Sequence, residues 1–285
     1  MGERIKNYLV LMRFSRPIGI YLLLWPTLWA LWFAGGGFPE QRILLIFIIG
    51  VVVMRSAGCV INDYVDRKID PLVARTKNRP IASGRVSPTE AIALFVVLLM
   101  LAFLLVLQTN RLTVYMAVAA LFLAISYPFM KRIHSLPQVH LGLAFGWAIP
   151  MAYTAQTNAL PSLEGWLLYA ASICWSVAYD TMYAMADRHD DKAIGVKSSA
   201  LLFGKYDRLL IAVFQMSTLV FLLIAGYLKT LGNFYYGGLA VAMIFSIYQQ
   251  YLLRDRSAEL CLRAFNNNNY FGMVVFVGLF IDSFN

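Results

Sequence analysis

The chain has 285 residues, 60% of them hydrophobic and 14% charged, and a formal net charge of +9. Soluble domains hold roughly 25% charged residues, so this composition excludes an ordinary soluble fold. A positive surplus would suit a nucleic-acid partner, but its placement along the chain explains it without one.

In chain order, apolar runs close to the ~20 residues of a spanning helix fall near 17–34, 43–61, 91–108, 112–129, 138–155, 165–182, 209–228, 235–253 and 270–284, the last being short. They predict an all-α, polytopic transmembrane bundle of about nine helices, one integral-membrane domain over 1–285. Glu3 and Lys6 precede the first run and no small-residue cleavage site follows it, so no cleavable signal is expected. Cys59, Cys174 and Cys261 are widely separated without metal-ligand spacing, which points to neither a disulfide framework nor a zinc site.

With a cytoplasmic N-terminus and alternating spans, 20 of the 24 basic residues fall on one side. That is the positive-inside pattern. It places 62–90, 130–137 and 184–208 together on the cytoplasmic face.

Carboxylates gather on that same face. "NDYVDRKID" (62–70) ends the second run, and "DRKID" returns as "DRHDD" 121 residues later, after the sixth. An even number of spans separates the copies, so they are parallel, whereas inverted-repeat transporters oppose their halves. Asn62, Asp66 and Asp70 are spaced i, i+4, i+8, one face of a continued helix. Asp180, Tyr183, Asp187 and Asp191 form a second stripe at i, i+3, i+7, i+11. The plain alternative is a pair of solvated helix ends whose aspartates pair with nearby Arg and Lys. Two matched copies favour a site, and like charges at this spacing should repel when no cation is bound.

All-oxygen donors suit a hard cation, Mg²⁺ above all, which commonly shares its shell with substrate phosphates. The surrounding Lys and Arg are natural phosphate partners. A Mg²⁺–diphosphate carrying an isoprenoid tail meets these constraints at the edge of an apolar bundle.

Four stretches, "SRPIGIYLLLWPTLWALW" (15–32), "MRSAGCVINDYVDRKIDPLVARTKNRP" (54–80), "SYPFMKRIHSLPQVHLGLAFGWAIPMAY" (126–153) and "AYDTMYAMADRHDDKAIGVKSSALLFG" (178–204), resemble the UbiA superfamily of intramembrane prenyltransferases over nearly the whole chain. Within it the likeness is to the branch that prenylates 4-hydroxybenzoate on the ubiquinone pathway. The resemblance implies nine helices around a central cavity in a bacterial inner membrane, with polyprenyl diphosphate and 4-hydroxybenzoate as substrates and membrane lipid as surroundings. Carried over by position, Asn62, Asp66 and Asp70 would hold one Mg²⁺, and Asp187 and Asp191 another. Lys131, Arg132, Tyr183 and Lys197 would serve the diphosphate. Arg132, the stronger candidate of the "YPFMKR" pair, would serve the benzoate carboxylate, and Arg55, buried within the second run, would pair either with that carboxylate or with an internal Asp or backbone carbonyl. Asp63 and Asp180 rank lower, as supporting residues. His189 stands where similar proteins commonly carry an acid, off the ligand stripe. A lipid phosphotransferase of the CDP-alcohol type would need a DGxxAR…GxxxDxxxD run, which the chain lacks.

Overall fold

Leu22 and the tryptophans at 29 and 32 are buried deep in the first long helix, and the rest of the chain winds around them. The computed structural model describes residues 2–73 and 75–285, and among these all regular structure is helical. A leading helix α1 (Gly2–Leu11) is followed by α2 (Ile18–Gly35), α3 (Gln41–Val65), α4 (Pro88–Val106) and α5 (Arg111–Ser126). A short α6 (Met130–Ile133) precedes α7 (Pro137–Gly146) and α8 (Ala148–Thr157). Then come α9 (Leu163–Ile194), a short α10 (Ser199–Phe203), α11 (Asp207–Leu228), α12 (Asn233–Leu252) and α13 (Ala258–Asp282).

With α7 and α8 taken as one broken span, the long helices match the nine apolar runs. The break at Trp147 has a local cause: Pro150 has no N–H to return to the carbonyl of Gly146, and the Trp147 indole donates instead to the Met116 carbonyl at 2.9 Å. Successive spans pack on one another from α2 round to α13, and α13 packs back on α2, which closes a ring. α2, α8, α9 and α13 also meet inside it. α4 and α5 are the least buried of the apolar helices and turn residues such as Phe103, Tyr115 and Phe122 outward, as a surface facing lipid does.

Two boundaries differ from expectation. α3 stops at Val65, and the chain turns into a short 3-10 segment, Asp70–Leu72. Pro71 is the reason, since it removes a donor and disfavours helix at the residue before it. Asp70 is therefore not on the α3 stripe, although its N–H still reaches the Asp66 carbonyl at 2.9 Å. α13 begins at Ala258, twelve residues before the apolar run near 270. The asparagines that hide its start from hydropathy are satisfied inside the bundle. Asn268 accepts from the Trp175 indole at 2.8 Å, Asn269 from Trp25 at 2.9 Å, and Asn267 from Gln249 at 3.0 Å.

Candidate active site at one end of the bundle

The first acidic motif lies on the last turn of α3 and the bend after it. Asp63, Asp66 and Asp70 are all at least 95% buried. Burial of a carboxylate is costly unless it is paired, and each has a partner. Asp63 accepts two hydrogen bonds from Arg13, at 2.8 and 2.9 Å. Arg79 bridges Asp63 and Asp70, 3.0 Å from each. Lys131, from α6, pairs with Asp66. The Asp66 Oδ1 atom is left buried with no hydrogen-bond partner among the described residues, and the nearest Arg132 nitrogen is 3.6 Å away.

The second motif lies on the final turns of α9, which runs unbroken to Ile194 before Gly195, at φ 72, ends it. The stripe Asp180, Tyr183, Asp187, Asp191 keeps its helical spacing there. Arg75 reaches across from the loop after α3, donating from Nε to Asp187 at 2.9 Å and from its other nitrogens to Asp187 and Tyr183. Its guanidinium also lies 4.7 Å from the centre of the Tyr183 ring. On the far side of α9, Arg188 and Arg256 both hold the fully buried Asp207, at 2.5 and 2.9 Å. His189 is 98% exposed and turned away from the site.

The two motifs face each other across a cavity of about 180 Å³. Asn62, Asp66, Asp70, Asp187 and Asp191 all line it, together with Tyr183, Lys131 and Lys197. Lys197 donates to the Ile133 carbonyl at 3.0 Å, which ties the loop after α9 to α6. Arg132 stands apart. Its side chain is 43% exposed, donates to the Val65 carbonyl at 3.0 Å and does not line the cavity. Of the adjacent basic pair, Lys131 is the one turned inward. Arg75 and Arg79, which sequence reasoning passed over as general loop charge, line the cavity too.

Beside it lies a larger cavity of about 1080 Å³ that reaches into the bundle and shares Asn62, Arg75, Arg79, Tyr127, Asp180 and Tyr183 with the first. Arg55 lies on its wall, its guanidinium 5.6 Å from the centre of the Phe145 ring. Arg55 Nε is buried without a hydrogen-bond partner among the described residues. It fits there because residue 19 on α2 is glycine, and a Cβ at that position would overlap the guanidinium.

The donor set fits a divalent cation. Carboxylate and amide oxygens line both sides of the cavity, and one carboxylate oxygen is an orphan. Burial, followed by the neighbouring Asp187, pushes the Asp191 carboxyl up to about 6. Burial also raises Asp70, with Arg79 opposing it. Among the described residues no three carboxylate, His or Cys groups close into a ready-made metal set. A cation here would complete its shell from the oxygens of its ligand, the usual habit of Mg²⁺.

These features define a polytopic helical membrane protein with an acidic and basic site at one end of its bundle, opening on a large internal cavity. The chain belongs to the UbiA prenyltransferase family, whose model matches residues 23–276. A protein named 4-hydroxybenzoate octaprenyltransferase from Aeromonas salmonicida is 54% identical over 280 residues, 98% of this chain and 96% of that protein. One of the same name from Methylococcus capsulatus is 55% identical over 280 residues, with the same coverage. Among solved structures, an apo UbiA homolog from Aeropyrum pernix K1 superposes with a TM-score of 0.81 at 25% identity, covering 93% of this chain and 97% of that one. A UbiA homolog from Archaeoglobus fulgidus bound to GPP and Mg²⁺ gives 0.74 at 16% identity, covering 98% of this chain and 100% of its own. At that identity the likeness speaks for the fold alone.

Proposed function

We propose that this chain transfers a polyprenyl group from polyprenyl diphosphate to the ring carbon ortho to the hydroxyl of 4-hydroxybenzoate, releasing diphosphate, as a step of ubiquinone biosynthesis. The near-full-length likeness to proteins of that name supports the reaction. The observation that carries the site is the meeting of both acidic motifs and four inward-facing basic residues on one cavity that continues into the bundle.

Asn62, Asp66 and Asp70 on one side, and Asp187 and Asp191 on the other, would hold Mg²⁺ through oxygen donors. Bound there, Mg²⁺ would neutralise charge on the departing diphosphate. Arg75, Arg79, Lys131 and Lys197 supply the remaining positive charge at the same rim, fixed in place before the reaction, which is where such groups contribute most. Arg55 offers its unpartnered nitrogen to the acceptor's carboxylate. Tyr127, Tyr179 and Phe145 line the larger cavity, where aromatic faces would screen an allylic cation. The predominance of basic residues on the loops of this end supports a cytoplasmic site in an inner membrane.

The test is turnover. Purified protein given Mg²⁺, geranyl diphosphate and a panel of aromatic acceptors should yield a geranylated 4-hydroxybenzoate by mass, and none in chelator. Product from dihydroxynaphthoate or homogentisate, with none from 4-hydroxybenzoate, would move the chain to another branch of the family.

A further inference from the structure

α3 and α9 each carry a polar residue seven positions before a residue of the acidic rim, Arg55 before Asn62 and Asp180 before Asp187. Seven residues make two turns, a rise of about 10 Å, and return to nearly the same face. Arg55 and Asp180 thus form a second layer below the rim. Both line the 1080 Å³ cavity, and Asp180 also lines the smaller one above it.

The aspartates of this end differ in their partners. Asp66 is held by Lys131, Asp70 by Arg79, Asp187 by Arg75, and Asp63 by Arg13 and Arg79. Among the described residues no Lys or Arg lies within ion-pair distance of Asp180; the charge of Arg55 acts on it from further off, and the Gln138 amide lies beside it. Asp180 is a carboxylate without a close ion-pair partner, on the wall where the two cavities join and in the layer of Arg55, the arginine assigned to the acceptor.

We propose that Asp180 is the general base of the transfer. This rests on the acceptor assigned above. A benzoate anchored on Arg55 would lie in the cavity whose wall Asp180 also lines. Once the prenyl carbon has bonded to the ring carbon ortho to the hydroxyl, the C–H bond there breaks. Its electron pair restores the aromatic ring, and the proton passes to an Asp180 oxygen. Released diphosphate is the competing base. Its oxygens leave into a rim of Arg75, Arg79, Lys131 and Lys197, whose charge lowers their basicity.

The experiment compares 4-hydroxybenzoate with the same compound deuterated at both carbons flanking the hydroxyl. Wild type, Asp180→Asn and Asp180→Glu are each assayed in detergent with Mg²⁺ and geranyl diphosphate. For the wild type, proton loss should be fast, so that deuteration leaves the rate unchanged. For Asp180→Asn, kcat should fall by about 10²–10⁴-fold, the usual share of a general base, with acceptor KM little changed and a primary isotope effect emerging on kcat. Asp180→Glu should recover part of the rate and keep a smaller isotope effect. Thermal unfolding of each variant beside the wild type separates loss of fold from loss of the base, and the Glu variant carries the test if the Asn variant is unstable. Undiminished kcat in Asp180→Asn, or a loss confined to acceptor KM with no isotope effect, overturns the assignment. Wild-type turnover is the control that separates the readings. Its absence counts against the acceptor proposed above, whereas its presence with an unaffected Asp180→Asn counts against the base alone.

Discussion

The guanidinium of Arg55 lies against the backbone of Gly19, in the space a side chain at residue 19 would fill. A Cβ there would stand 2.7 Å from Arg55 Cζ, and closer still to Nε. Glycine at 19 is therefore a condition for where Arg55 points, and the two helices α2 and α3 jointly fix the guanidinium on the cavity wall.

Gly19→Ala should push the guanidinium off its site while leaving the aspartates above untouched. Losing a buried charged contact outright costs about 2–5 kcal/mol, and displacement should cost a part of that. The acceptor KM is expected to rise about tenfold, ~1.4 kcal/mol, with the prenyl diphosphate KM unchanged. Arg55→Ala should follow the same pattern more strongly. Steady-state kinetics with each substrate varied in turn decide it, and an equal rise in both KM values would assign Arg55 to folding or to the diphosphate.

The rim aspartates should separate into two kinds when neutralised. Asp187→Asn strands Arg75, which is partly exposed, and should lower the stability of the metal-free protein by about 1 kcal/mol, as for a partly solvated ion pair. Asp191 has no Lys or Arg within ion-pair distance among the described residues, so Asp191→Asn should leave that stability unchanged or raise it. Both should nearly abolish turnover. Thermal unfolding in detergent, set beside activity, reads both effects.

Acid should stabilise the metal-free protein over a narrow range. Asp191 is raised to about 6 by burial first and by Asp187 second, with Lys131 and Arg75 opposing. A carboxyl raised in the folded state binds its proton more tightly folded than unfolded. Stability should therefore increase as pH falls from about 7 through 6, and level off near the unfolded value of about 4. Asp191→Asn should remove most of that gain. Unfolding midpoints at pH 7 and pH 5 for both proteins test the sign.

Much of this was legible in the sequence, and what was not has physical reasons. The nine apolar runs and the acidic stripe of α9 depend on local periodicity, which the sequence carries openly. The end of α3 was written in Pro71, but the acidic spacing 62–66–70 masked it by mimicking a continued helix. Spacing also implied bare aspartates repelling one another. The structure instead neutralises Asp187 with Arg75, 112 residues away, a tertiary pairing no local pattern reveals. The choice of Lys131 over Arg132 for the cavity depends on which way a one-turn helix faces. The asparagines of α13 lowered its hydropathy, while Trp25 and Trp175, which satisfy them, sit on distant helices.

Mg²⁺ and a prenyl diphosphate analogue should act together. With no ready-made set of three carboxylates, neither should bind tightly alone. A ligand at a hundredfold excess over Kd adds about 2.7 kcal/mol, so the unfolding midpoint should rise clearly with both present and little with either one.

The paired rim is tested most directly by counting metal ions. Mn²⁺ is a paramagnetic stand-in for Mg²⁺, and its binding can be titrated by electron paramagnetic resonance with a non-reactive prenyl thiolodiphosphate present. The wild type should take up two ions per chain, close enough for their spectra to couple. Asp66→Asn and Asp187→Asn should each lose one ion and the coupling. Unchanged uptake in both variants, or two ions bound without the diphosphate, would contradict a site assembled from both motifs around the substrate.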